Sequence, residues 1–282
     1  MNQKRNDDSM VVLRMVLIVI AALIAVFPFL WMLQNSFNTE QNIFSKGVFK
    51  VPDLLFKSNM FENYKIVIGK YNFGRYTWNS IFVCSLAALG QVIICTLGGF
   101  VFARMTFRGS KIVFTLLLIT LMVPVQVIII PEYYIMMKLN WLDTFLPLIV
   151  PSFLAGAFGT FMLKEYFEQI PDALLDAGII DGANAWKMYL HIFLPQCSAP
   201  AATLFIIAFM NNWNDLLRPM LYLTKEKLYT VTLGLTQFQS QYSAKWNLLL
   251  TGSVLSILPL VIVFIFCQRY IIEGSVSSGI KG

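Results

Sequence analysis

Apolar residues in this chain run in long unbroken blocks. Blocks at about 11–33, 80–103, 112–136, 144–164, 198–221 and 247–270 are each long enough for one helix to cross a bilayer core. Only helices and closed barrels satisfy their backbone polar groups in lipid. A barrel would show alternation within strands of about 10 residues, and that pattern is absent. The blocks therefore predict an all-α, polytopic transmembrane helical bundle, with residues 1–282 forming a single transmembrane domain of six helices. The first block is too long for a signal-peptide core and no small-residue cleavage site follows it, so it reads as a retained helix.

The blocks differ in detail. Gly90, Gly98 and Gly99 in the second suit close helix approach. Prolines stand in the other five: Pro28, Pro124 and Pro131, Pro147 and Pro151, Pro200 and Pro219, and Pro259. They predict kinks where neighbours re-satisfy the freed carbonyls. The polar stretch at about 34–78 mixes aromatic residues with charges, which predicts an ordered loop lying on the bundle.

Composition agrees. The chain is 57% hydrophobic and 13% charged, with a mean hydropathy of +0.68, whereas soluble domains carry roughly 25% charged residues. The net charge of +6 is spread over the loops, and no basic cluster is interleaved with aromatics as on a nucleic-acid surface. Cys84, Cys95, Cys197 and Cys267 form no CxxC pair and read as small apolar packers. His191 has no companion ligands, so no metal site is expected.

With an even number of spans both termini share a side. Lys and Arg divide almost evenly between the two sides, so a raw count gives no orientation. Weighting short loops favours the turn Arg104–Lys111, which holds Arg104, Arg108 and Lys111, as cytoplasmic. Both termini and the 168–195 segment would then be cytoplasmic as well.

That segment, EQIPDALLDAGIIDGANAWKMYLHIFLP, is the longest part of the second half that cannot cross a membrane. Pro171 suits the first position of a helix and Asp172 its first turn. A helix at about 171–181 would carry Asp172 and Asp176 on one stripe, beside the small Ala173, Ala177 and Gly178. Asp181-Gly182 signals a turn. A second piece at about 183–194 reads as amphipathic, with Asn184, Lys187 and His191 on one face and Trp186, Tyr189, Leu190 and Phe193 on the other. Periodicity alone leaves two roles open, an interfacial structural hairpin or a docking element.

From Asp176 to Pro195 the spacing D-A-G-x-x-x-G, nine residues, I-x-L-P resembles the EAA loop of permease subunits of ATP-binding cassette importers. In that family the usual opening is E-A-A. Here Asp176 replaces Glu, Gly178 replaces the second Ala, and Ala177, Gly182, Ile192, Leu194 and Pro195 are retained. Asn79-Ser80, Phe102-Ala103-Arg104 with Phe107-Arg108-Gly109, Ile130-Pro131, Ile180-Asp181-Gly182-Ala183 and Trp213-Asn214-Asp215 with Pro219 resemble the carbohydrate-uptake, maltose-permease-like branch. Gln268-Arg269-Tyr270 and the closing glycines resemble its C-terminal signature.

The resemblance implies a non-enzymatic permease subunit of the bacterial or archaeal plasma membrane. It would form half of the pathway of a binding-protein-dependent importer for a sugar or oligosaccharide. A related permease subunit, two ATPase subunits carrying ATP and Mg, and an extracytoplasmic solute-binding protein would be its partners. Asp176, Ala177, Gly178, Asp181, Gly182 and Ala183 would dock the ATPase through this EAA coupling loop, and Gly279 and Lys281 would form a tail contact. The chain itself has no G-x-x-x-x-G-K-[ST], so it would bind no cofactor of its own. Asn211, Asn212, Trp213, Asn214 and Asp215 offer an indole for sugar stacking and amides for hydroxyls, or else polar glue between helices. The alternative function is a secondary transporter of a small polar solute driven by an ion gradient. Such a carrier needs ionisable residues at mid-membrane, whereas Glu132, Asp215 and Arg218 lie towards the outer ends of their blocks.

Overall fold

A computed structural model describes residues 2–44, 51–54, 57–154, 156–239 and 245–279. Within these, the regular elements are helices. We label α1 Asn2–Asn35, α2 Phe73–Arg104, α3 Ser110–Ile119, α4 Val125–Lys138 and α5 Ala157–Glu168. They are followed by α6 Asp172–Ile180, α7 Ser198–Asn214, α8 Leu217–Tyr222 and α9 Trp246–Gly279.

Among the described residues, four helical stretches are long and apolar enough to cross a membrane: Met10–Asn35, Phe73–Arg104, Leu146–Glu168 and Trp246–Phe266. Two bent pairs raise the number to as many as six. Ser110–Met122 and Val125–Lys138 meet at 103°, and Ala185–Gln196 and Ser198–Asn214 at 78°. The third apolar block is therefore not one straight helix. Pro124 has no N–H and excludes helical geometry from the residue before it, and Val123 is extended at φ −85°, ψ 115°.

The fourth block departs likewise. It is a short helix Leu146–Ile149, a 3-10 turn Val150–Phe153, and then α5. Pro147 and Pro151 stand in the first turns of the two short pieces, where a missing N–H is harmless. The fifth block divides after Asn214. Asp215 turns extended at ψ 121°, and its Oδ1 accepts the backbone N–H groups of Leu217 (3.0 Å) and Arg218 (3.3 Å), starting α8. Pro28, Pro131 and Pro259 lie inside α1, α4 and α9 without ending them.

The chain divides into two compact units, Met1–Phe73 with Leu235–Leu258, and Gly74–Gly234 with Pro259–Gly282. The first is held by a buried polar network. Asn63 Nδ2 donates to the carbonyls of Ser36 (2.8 Å) and Asn38 (2.9 Å), and its Oδ1 accepts from Asn247 Nδ2 (2.9 Å). Thr251 Oγ1 donates to the Asn247 carbonyl at 2.7 Å, and the Ser36 and Tyr64 hydroxyls meet at 2.7 Å. The described part of the loop predicted at 34–78 is thus anchored by asparagines as well as by aromatics, while Phe49 and Phe56 lie outside the described residues. Phe37 does pack on Tyr64 at 5.4 Å.

In the second unit, α2 packs against α5 through small residues. Gly98 lies against Thr160, Gly99 against Leu163, and Gly159 against Cys95. The Cys95 thiol donates to the Gly156 carbonyl at 3.2 Å. Cys84, Cys95 and Cys197 are buried free thiols, and the side chain of Cys267 is outside the described residues. At the far end of α2, Asn79 Nδ2 donates to the carbonyls of Lys227 and Tyr229, both at 3.0 Å, and Ser80 Oγ accepts the Val231 N–H at 2.8 Å.

The loop after α4 is held in the same unit by one carboxylate. Asp143 adopts φ 55° and accepts the Thr224 backbone N–H (2.6 Å), the Thr224 hydroxyl and the Lys225 N–H (3.2 Å). Those donors, with the Lys225 charge, hold its carboxyl below the usual carboxylate range. A depressed carboxylate contributes stability above its unfolded pKa and loses it as pH falls through the folded value. Acidification should therefore lower the thermal midpoint. Asp143→Ala should lower that midpoint at neutral pH and flatten its acid limb, as followed by scanning fluorimetry of the detergent-solubilised protein.

Candidate functional site

The 168–195 segment folds as two helical pieces about a tight turn. Pro171 (φ −58°, ψ 138°) stands just before α6, and Asp172 is the first helical residue. α6 ends in a Schellman motif. The Gly182 N–H bonds to the Ile179 carbonyl (3.0 Å) and the Ala183 N–H to that of Gly178 (2.9 Å). This geometry needs a left-handed residue at Gly182, which has φ +71°.

The residues singled out from sequence divide between two faces. Asp176, Ala177, Asp181 and Gly182 are exposed, Ala183 is half-buried, and Gly178 is buried. A Cβ at Gly178 would lie 3.0 Å from Ile192 Cδ1 and 3.4 Å from Met188 Cγ. Gly178 thus seats the helix on its own return strand of the loop, while the exposed set faces outward. The outward face also carries apolar residues that sequence reading did not select, Ile179 at 57% exposure and Ile180 at 84%. Their only signal in sequence was two isoleucines beside an Asp-Gly turn.

The second piece differs from the expected amphipathic helix. It is α-helical only over Ala185–Met188 and then widens into a π turn, Tyr189–Phe193. Tyr189 and Phe193 are buried as expected, but Trp186 (60%) and Leu190 (47%) are exposed. Trp186 precedes the π turn, and the wider winding from Tyr189 onward interrupts the single helical period that would put all four side chains on one face. Asn184 caps the piece, its Oδ1 accepting the Lys187 N–H at 2.9 Å.

Both ends of the segment meet α2. Arg104, the last residue of α2, has a side chain only 7% exposed. Its Nε donates to the Phe167 carbonyl at 3.1 Å. Its terminal nitrogens donate to the carbonyls of Phe167 and Ile170 and to the Asp172 carboxylate. The guanidinium carbon lies 5.4 Å from the centre of the Phe193 ring. Eight residues earlier on α2, the Thr96 and Tyr189 hydroxyls pair at 2.8 Å. Arg104 was visible in sequence as one of three clustered cations and in the Phe102-Ala103-Arg104 resemblance, neither of which indicated its partners.

The 211–215 group is scattered by the structure. Trp213 is 3% exposed and stacked on Phe209 at 5.6 Å, and its carbonyl accepts the Thr232 hydroxyl at 2.6 Å. It has no free face for a sugar ring. Asp215 is occupied as the cap of α8 and lies 3.6 Å from Arg218, which also pairs with Glu132 at 3.2 Å. Asn211 and Asn214 are exposed. Asn212 alone of the group lines a cavity of about 190 Å³, together with Gln91, Ser152 and Arg218 and the apolar Pro147, Leu148 and Pro151. Gln91 and Ser152 were not selected from sequence; a lone glutamine within the second apolar block was the available signal.

Of the C-terminal tail, the backbone is helical to Gly279, and Lys281 lies outside the described residues. Among the described residues no group of His, Cys, Asp and Glu could hold a metal ion.

The comparisons agree with one another. The family described as "Binding-protein-dependent transport system inner membrane component" matches residues 95–274. The arabinooligosaccharides transport system permease protein AraQ of Halalkalibacterium halodurans is 31% identical over 264 residues, 93% of each chain. The sn-glycerol-3-phosphate transport system permease protein UgpE of Brucella abortus is 30% identical over 268 residues, 93% of this chain and 94% of its own. In fold, the chain matches a crystal structure of a bacterial ABC transporter involved in the import of the acidic polysaccharide alginate. The TM-score is 0.80 at 21% identity, covering 94% of this chain and 98% of that one.

Proposed function

Since the chain belongs to the binding-protein-dependent transport system inner membrane component family, we propose that it forms half of the membrane pathway of an ATP-driven importer for a sugar or oligosaccharide. It is a permease subunit rather than an enzyme. A related permease subunit completes the pathway, an extracytoplasmic binding protein delivers solute, and two ATPase subunits carry ATP and Mg. The relatives named for arabinooligosaccharide and glycerol-phosphate transport support that solute range.

The carrying observation is the exposed tip of α6. Ile179, Ile180, Asp181 and Gly182 project as an uncovered apolar and acidic knob on a segment that Arg104, Thr96 and Phe100 of α2 hold through Asp172, Tyr189 and Phe193. An ATPase cleft that receives this knob would bury what the chain alone leaves in water. The six spans of this reading are the four apolar helical stretches and the two bent pairs. The Arg104–Lys111 turn shares an end of the second unit with α6, and its cations favour the cytoplasm for both. Within the pathway, Asn212, Gln91 and Ser152 supply amides and a hydroxyl matched to sugar hydroxyls.

The test is purification of the tagged chain with its partner subunits and uptake in proteoliposomes. An ATPase subunit should co-purify, and uptake should be abolished by vanadate. Uptake that ignores vanadate and collapses with an ionophore would instead establish an ion-driven carrier. Asp176→Lys should lower the co-purified ATPase without lowering the yield of folded chain, because this carboxylate is exposed and lies at the docking face.

A further inference from the structure

We infer that Arg104 is the positioning residue that transmits movement of the α6 knob into the transmembrane bundle. The inference rests on the docking reading above, which concerns where an ATPase binds. It adds how force applied there reaches the membrane.

A loop can carry force only through contacts that stay closed under load. The 168–195 segment has two covalent roots, at the end of α5 and at the start of α7. If those were the only attachments, a push on α6 could be absorbed by hinging at Gln169–Pro171 and at the π turn. Arg104 closes both hinges with one side chain. At the entrance it bonds the carbonyls of Phe167 and Ile170, on either side of the turn, and the Asp172 carboxylate on the first residue of α6. At the exit its guanidinium lies against the ring of Phe193, which is fully buried. Four chain segments therefore converge on one cation that belongs to α2.

The helix behind that cation is suited to the task. α2 is 32 residues long and unbroken, so it reaches about 48 Å at 1.5 Å per residue. No proline interrupts it. Thr96 grips Tyr189 about two turns before Arg104 along α2, which prevents α2 from swivelling about a single contact. Its other end holds the loop after α8 through Asn79 and Ser80. A displacement of α6 thus has a continuous path of hydrogen-bonded and packed groups to the opposite face of the unit.

The residue type is specific. A planar guanidinium with five donors can serve two carbonyls and a carboxylate at once while its face lies on an aromatic ring. A lysine ammonium has the charge but neither the fork nor the plane. Placement at the C-terminus of α2 also favours a cation through the helix dipole.

The experiment uses the whole transporter in proteoliposomes with its binding protein, and measures subunit assembly, ATP hydrolysis and solute uptake in the same preparation. Arg104→Lys and Asp172→Asn are the variants, since neither empties the site as alanine would. The expected result is intact assembly, continued ATP hydrolysis, and a fall of at least about fivefold in solute imported per ATP, the lower end of typical coupling between sites. The loss should be larger for Arg104→Lys, which weakens every contact, than for Asp172→Asn, which weakens one. An unchanged ratio with intact assembly would overturn the inference. Loss of assembly in both variants would also overturn it, in favour of a role confined to folding the loop. If the unmodified transporter shows no associated ATPase or no vanadate-sensitive uptake, it is the docking reading that fails.

Discussion

Replacing Gly99 with valine should lower both the thermal midpoint and the yield of the folded protein. A Cβ at Gly99 would stand 2.9 Å from Leu163 Cβ, 3.0 Å from the Lys164 backbone nitrogen and 3.1 Å from the Leu163 carbonyl carbon. Two of these three neighbours are main-chain atoms of α5, so no rotamer change relieves the contact. The helices must separate, and the neighbouring contacts at Gly98 and Gly159 separate with them. Overpacking of this kind costs about 1–3 kcal/mol for a few added methyl groups, against a total stability of about 5–15 kcal/mol. Lys164 is also drawn in, because its ammonium pairs with Glu168 at 2.7 Å and lies over the Phe114 ring. Gly74→Ala is the control, since a Cβ there meets nothing within 4 Å. Size-exclusion yield and thermal midpoint in detergent would read the result. A Gly99→Val midpoint within about 2 °C of the parent would show that the α2–α5 contact is softer than the geometry implies.

Apolar block length carried the all-helical class and the approximate position of each span, because burial of a backbone in lipid admits few solutions. Local chemistry that overrides length was harder to read. The 103° bend at Pro124 and the break at Asp215 both fall inside blocks that read as single spans. Only the pairing of proline with the extended residue before it, and of an aspartate with free N–H groups after it, distinguishes them. The candidate site shows the same division. Gly182 and its turn were evident because a left-handed cap has a strong residue preference. The π turn at Tyr189–Phe193 was not, since no residue in it departs from helical propensity, and the exposure of Trp186 and Leu190 was not legible either. Arg104 and Asp172 are 68 residues apart. Nothing in either local sequence indicates the other, and that pairing comes from tertiary structure alone. Asn79 was noticed through family resemblance before its physical role, holding the carbonyls of Lys227 and Tyr229, could be seen.

At the tip of α6, two substitutions should separate shape from surface. Ile180→Asp places a charge where 84% of an isoleucine is exposed, so the chain alone should fold as before. In the complex that side chain would be buried in an ATPase cleft. Burying an isoleucine contributes about 1.5–3 kcal/mol, and a buried unpaired carboxylate reverses the sign. Co-purified ATPase should fall by more than about tenfold, since each 1.4 kcal/mol is a factor of ten. Gly182→Ala acts differently. A Cβ there meets no atom of this chain, but φ +71° is strained for alanine, by roughly 1–2 kcal/mol. Gly182→Asn relieves that strain, because asparagine tolerates the left-handed region, yet it adds more bulk than alanine. If docking depends on the cap alone, Asn should restore what Ala removes. If the cleft closes directly over Gly182, Asn should fail at least as badly. Wild-type assembly and uptake in Ile180→Asp would place the ATPase contact away from this knob, because no docked surface leaves its most exposed apolar side chain indifferent to a charge.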